Sequence, residues 1–203
     1  MKNYLSLSLL LFWASMIVVS CTKTGTSPNG TDQSSNNNNN TPATTESPYF
    51  EYSIGADAAV RVDCSDIAFS AKPGDVMVAV YANFVNTKAS FLFAFPASAT
   101  AVQAAVTGSY PVSAYSSFTN PASLKAFELS LRAPKTIGGT DYFYSVAPTN
   151  ATYENKIKSI AKGAIEGTKQ VYWIEGEFKM PAENVAKQTT TLSGKYRFKL
   201  LTL

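Results

Sequence analysis

The chain reads as an all-β protein: a single-domain antiparallel β-sandwich, with a partly closed β-barrel as the alternative closure. Three observations carry that expectation. From residue 49 onward, short apolar or alternating runs recur between Pro-, Gly- and Asp-containing turn signals. The runs are rich in Val, Ile, Phe and Tyr, which suit a pleated surface. Only two stretches invite a helix, and both are short.

Taken in chain order, Tyr49-Phe50-Glu51-Tyr52 places alternate rings on one face of an extended segment. Val60-Arg61-Val62-Asp63-Cys64 alternates as well and points Cys64 at the core. Lys72-Pro73-Gly74-Asp75 is a turn, and it opens the apolar strand of residues 76–81. Residues 90–95, Ser-Phe-Leu-Phe-Ala-Phe, form the next strand, closed by Pro96. The alanine-rich residues 97–106 allow one or two helical turns behind Ser98 as cap. Phe127-Glu128-Leu129-Ser130-Leu131-Arg132 alternates and is expected to show one face to water. Residues 155–164 fit a helix or a strand, with Gly163 and Gly167 awkward for a helix. Residues 170–179 are a long strand with Gly176 as a bulge or kink, and Trp173 rather than Tyr172 is expected inside. Residues 195–200 alternate to the C-terminus.

Ahead of this domain (49–203) lie two segments of different chemistry. Residues 1–20 begin with Lys2 and continue as an almost wholly apolar stretch from Tyr4 to Val19. Sixteen residues fall short of the roughly 20 a spanning helix needs and have the length of a signal-peptide core. Val18-Val19-Ser20-Cys21 closes the stretch and looks like a bacterial lipobox, which makes Cys21 the lipid-attachment residue. Residues 21–48 are mostly Ser, Thr, Asn, Gly and Pro, with five consecutive asparagines at 36–40. Such a segment buries too little apolar surface to offset its conformational entropy and is expected to be a disordered tether. At that length it would hold the domain about 30 Å from its anchor on average. Thr22 after the cysteine, and the absence of an acidic run there, point to the outer membrane and its periplasmic side.

The C-terminal third resembles small Bacteroidota lipoproteins that carry β-rich domains of unknown function. The likeness rests on two Gly-x-aromatic motifs, Gly176-Glu177-Phe178 and Gly194-Lys195-Tyr196, with Gly108-Ser109-Tyr110 upstream. It covers about two-thirds of the domain and implies fold and compartment, with no activity or site to carry over. The early tryptophan of those domains is missing here. Physically, a glycine inside a strand lets a ring or a second backbone approach closely.

Composition removes much chemistry. The chain has no histidine, which excludes Ser-His-Asp and Cys-His catalysis and the usual zinc sites. Cys64 is the only thiol besides Cys21 and is expected to be buried and inert. Glu175 and Glu177, two apart on one strand, share a face at a spacing a glycosidase could use. Simple ion pairing, with Lys169 or Lys179, is the plainer reading of that pair. Asp57, Asp63 and Asp66 lack the spacing of a known calcium loop. No metal or cofactor is expected.

The charge of +3 is concentrated late: residues 150–203 hold nine Lys/Arg against five Asp/Glu. That excess fits a solvated face, and no nucleic-acid partner is expected. Tyrosines are the better clue to binding, because their faces stack on sugars and anchor protein interfaces. Tyr142, Tyr144 and Tyr110 are the candidate ligand-binding residues. The expectation is a non-enzymatic envelope lipoprotein that binds a glycan or an envelope protein. Its rivals are a polysaccharide hydrolase using a carboxylate pair and an assembly subunit that exchanges edge strands.

Overall fold

The structure, a computed structural model, describes residues 18–21, 47–115 and 123–203. Most of the signal segment and nearly all of the tether expected from the sequence lie outside these residues.

Strands make up 55% of the described residues, and the all-β expectation holds. The strands join one continuous sheet that curls into a half-barrel, so its inner face closes on itself around a single core. In chain order they are β1 (Val18–Cys21), β2 (Tyr49–Ile54), β3 (Val60–Asp63), β4 (Phe69–Ser70), β5 (Met77–Phe84) and β6 (Ser90–Pro96). After the helix α1 (Ala99–Ala104) come β7 (Gly108–Tyr110), β8 (Leu129–Pro134), β9 (Tyr142–Ser145), β10 (Glu154–Glu166), β11 (Lys169–Glu183) and β12 (Thr189–Thr202). Side by side they run β1-β5-β6-β8-β9-β11-β12-β2-β3, with β10 and β7 continuing from β11 and β4 added to β12. Pairing is antiparallel except for β1 with β5 and β4 with β12.

Local chemistry explains the junctions. Pro73 and Gly74 (φ 93°) form the turn before β5, closed by Asp75 N–H to Lys72 O at 3.0 Å and by the Asp75 carboxylate accepting from Lys72 N–H. Ser98 caps α1 by accepting from Ala101 N–H. Residues 155–164, open between helix and strand in the sequence, are part of β10. Gly167 (φ 62°) makes the tight turn that pairs β10 with β11.

The core is aromatic. Phe50, Phe91, Phe93, Phe178, Tyr196 and Phe198 are buried from several strands, and Tyr196 stacks on Phe198 at 4.4 Å. The two Gly-x-aromatic motifs meet here as reciprocal partners. In the β11/β12 register Gly176 faces Tyr196, while Phe178 faces Gly194. A Cβ on Gly176 would lie 2.5 Å from the Tyr196 ring; one on Gly194 would strike the Glu51 carbonyl and the Phe178 ring. Each glycine thus leaves the space its opposite ring fills. The bulge expected at Gly176 belongs instead to its neighbour, where the β10 register shifts between Ile157 and Ser159.

Two further expectations are corrected. Trp173 lies on the outer face beneath the Arg197 guanidinium at 4.5 Å, and Tyr172 is the ring inside. The strand parity is as expected; the aromatic core beneath β11 takes the Tyr172 face. β8 shows almost no face to water, with Ser130 and Leu131 both buried. The chain at 111–113 pairs edge to edge with Leu129, Leu129 N–H donating to Pro111 O and Ser113 N–H to Leu129 O, while Tyr115 and Leu124 pack on the outer face over Leu92, the neighbour of Ser130.

β1 runs parallel to β5, Val18 beside Tyr81 and Cys21 beside Phe84. Cleavage ahead of Cys21 would remove three of its four residues and leave the β5 edge without this neighbour.

Candidate functional site

The outer face of β5, β6, β8 and β9 carries a row of half-buried tyrosines. Strand parity creates it: Val78, Val80, Ala82 and Phe84 of β5 face the core, which turns Tyr81 and Asn83 outward. On β9, Phe143 faces inward and Tyr142 and Tyr144 outward. The chain at 111–115 wedges between β8 and β9 and is pinned there. Tyr115 N–H donates to Ser145 O, while the Ser145 hydroxyl donates to Ser113 O at 2.8 Å and accepts from Leu131 N–H at 3.0 Å. This wedge delivers Tyr115 into the middle of the row.

Ring centroids then step from Tyr81 to Tyr115 at 6.5 Å, to Tyr144 at 6.0 Å and to Tyr142 at 6.1 Å. Successive rings are inclined by 56°, so the row is a twisted track and not a flat plate. Its floor is Leu92 and Ala94, against which Tyr81, Tyr115, Met77 and Leu124 pack. That cover is why β6 is buried along its whole length, as a continuous apolar run requires. Burial holds the Tyr115 phenol well above the ordinary tyrosine value, and the charged side chain that joins the row is Arg132. The Arg132 guanidinium stands 4.6 Å from the Tyr142 ring centre and 5.8 Å from that of Tyr115, and donates to Asn83 Oδ1 at 3.2 Å.

A groove of about 480 Å³ adjoins the track. It lies between Tyr115, Tyr144, Ser145 and Val146 on one side and Glu183, Asn184, Val185 and Lys187 of the β11–β12 turn on the other. The turn overhangs because β11 outlasts β10 and takes β9 as its neighbour at Ala182 and Glu183. Glu183 and Lys187 pair with each other at 2.7 Å.

Two of the three tyrosines singled out in the sequence, Tyr142 and Tyr144, therefore sit together on this surface. Tyr110 does not. It meets the edge of Phe127 at 4.9 Å and donates its hydroxyl to Val106 O, on the β7 side of the fold. Phe50 and Tyr52 face the core, while Tyr49 lies outside under Arg61 at 3.7 Å. Cys21 ends β1. Tyr81 and Arg132 were not singled out in the sequence. Tyr81 hides in an apolar run that reads as core, and nothing at residue 132 foretells its aromatic neighbours.

The other groups weighed for chemistry are dispersed. Glu177 pairs with Lys158 at 3.0 Å and Glu175 with Arg197 at 3.5 Å, so their partners are not Lys169 or Lys179. Lys195–Glu51 and Lys199–Glu166 extend this grid of opposite charges over the outer face of β10, β11, β12 and β2. Lys169 instead donates to Ser70 Oγ and Ala71 O. Asp57, Asp63 and Asp66 are exposed, and Asp63 accepts from Ser65 N–H. Among the described residues no three His, Cys, Asp or Glu side chains gather as metal ligands, and no helix is long and apolar enough to cross a membrane. Cys64 is buried, its thiol 3.8 Å from Val62 O. Comparison with protein-family models, with curated proteins and with solved structures finds no match to this chain.

Proposed function

We propose that this chain is a lipid-anchored protein of the cell envelope, attached through Cys21 at the outer membrane and its periplasmic side, whose β-domain is a non-catalytic glycan-binding module. One observation carries the binding reading: four tyrosine rings follow one another across an outer sheet face beside an open groove. Sugar rings present C–H faces that stack on such side chains, and the hydroxyl tips supply hydrogen bonds at the rim. The 56° inclination between rings suits a chain that turns from one residue to the next. Support for the anchor comes from the signal-like residues 1–20 and the Ser/Thr/Asn-rich 21–48. The dispersal of Glu175 and Glu177 into ion pairs on an open face favours binding over hydrolysis.

The test is a glycan-array screen of the detergent-solubilised full-length protein. Specific binding that falls at least about fivefold in Tyr144→Ala supports the reading, one stacked ring being worth about 1 kcal/mol. Binding unaffected by Tyr142→Ala and Tyr144→Ala would remove it. Replacing Cys21 by serine is expected to move the protein from the membrane to the soluble fraction.

A second reading, strand exchange with an envelope partner, is favoured by β5. Its eight residues hold no charge and no proline, the devices that usually protect an edge, and the edge already accepts β1. Crosslinking from Ala79 to another polypeptide in the intact envelope, together with a blank array, would select it.

A further inference from the structure

We infer that the ligand of the tyrosine track is an anionic glycan, whose carboxylate or sulfate is received by Arg132. The inference rests on the glycan-binding reading and names its ligand class. Its starting point is an unmatched charge. The chain has three arginines. Arg197 pairs with Glu175, and Arg61 is exposed over Tyr49. Arg132 is half-buried within an otherwise uncharged face, and among the described residues no carboxylate lies within ion-pair distance of it. Residues 116–122, which follow Tyr115, contain no Asp or Glu. Glu183, at the groove, is already paired with Lys187.

The side chain is also held in place. Tyr142 and Tyr115 flank it, and Asn83 takes one of its five N–H groups. Nε is buried with no hydrogen-bond partner, so an incoming anion is confined to the Nη1–Nη2 end. That end presents two parallel N–H donors, the fork that matches a carboxylate or sulfate. A partly desolvated guanidinium without a counter-charge is costly, and an anion bound there would offset that cost. Tyr142 and Tyr144 on the adjoining strand would carry the sugar ring to which the anion is attached.

The test compares oligogalacturonate, its methyl ester and a sulfated oligosaccharide of similar length, by calorimetry with the full-length protein. Binding of an acidic oligosaccharide, weakened about ten- to a hundredfold in Arg132→Gln and for the methyl ester, is expected. Arg132→Lys should recover only part of it, since an ammonium lacks the fork. Which acid binds identifies the source of the anion. Urea midpoints of both variants check that the fold is intact. Neutral and acidic sugars binding alike, unaffected by Arg132→Gln but lost in Tyr144→Ala, would overturn the role of Arg132 and leave the glycan reading standing. No sugar of any charge binding would overturn both.

Discussion

Replacing Gly176 by alanine tests the glycine–aromatic clasp that joins β11 to β12. The added Cβ would lie 2.5 Å from Cζ and Oη of Tyr196. Ordinary contact is about 3.5–4.0 Å, so the ring must retreat by roughly 1 Å or more. It has little room to do so. Tyr196 is 1% exposed, stacks on Phe198, and donates its hydroxyl to the buried Asn155 at 2.7 Å. Overpacking of this kind costs about 1–3 kcal/mol. Pulling the hydroxyl from Asn155 adds about 1–3 kcal/mol for the buried group left unmatched. A total of about 2–6 kcal/mol would lower the melting temperature by roughly 5–25 °C for a domain of this size. Urea denaturation of the parent, Gly176→Ala, Tyr196→Leu and the double variant measures the coupling. With the phenol ring gone, the alanine should cost less than half as much. A single-variant cost under about 0.5 kcal/mol, or an equal cost in both backgrounds, would refute the clasp.

Two other expectations concern buried phenols. The same change, tyrosine to phenylalanine, should have opposite consequences at two core positions. Tyr196→Phe strips Asn155 of its donor and should destabilise by about 1–3 kcal/mol, whereas Tyr52→Phe removes a buried hydroxyl with no hydrogen-bond partner and should be neutral or stabilising by urea titration. Stability should also fall at alkaline pH. Burial pushes the Tyr52 phenol up from 10 to about 12 and raises Tyr196 further, so both stay protonated when folded but ionise on unfolding above about pH 10. Their contribution is complete below pH 10 and is lost as pH rises through the folded values. Urea midpoints at neutral pH and at about pH 11 check this, and a flat profile would contradict it.

The division between what the residue order carries and what the fold adds is visible element by element. The Pro73-Gly74 turn, the apolar run at 91–95 and the Ser98 cap are decided within a few residues, by backbone sterics and local hydrogen bonds. All three appear in the structure where the pattern places them. The all-β class follows from the same short-range patterns, and so does the pairing of Tyr142 with Tyr144 on one face.

What depends on distant partners was out of reach. Period-two alternation says that Tyr172 and Trp173 face opposite ways, but not which way is in. That choice was made by the aromatic core beneath β11 and by Arg197, which covers Trp173 from the next strand. The alternation of β8 promised a wet face. Tyr115 and Leu124, from outside the strand, pack over its neighbour Leu92 instead. The glycine motifs announce close approach, yet only the β11/β12 register shows Gly176 serving Tyr196 and Gly194 serving Phe178. The track itself is the clearest case. Tyr81, Tyr115, Arg132 and Tyr144 come from three strands and a wedge segment, and no spacing in the chain links them. Local sterics and hydrophobic periodicity reach a few residues along the backbone, and they determined the elements. The curl of one sheet around a shared core decided which faces met, because burial rewards contact between surfaces however far apart in sequence they lie.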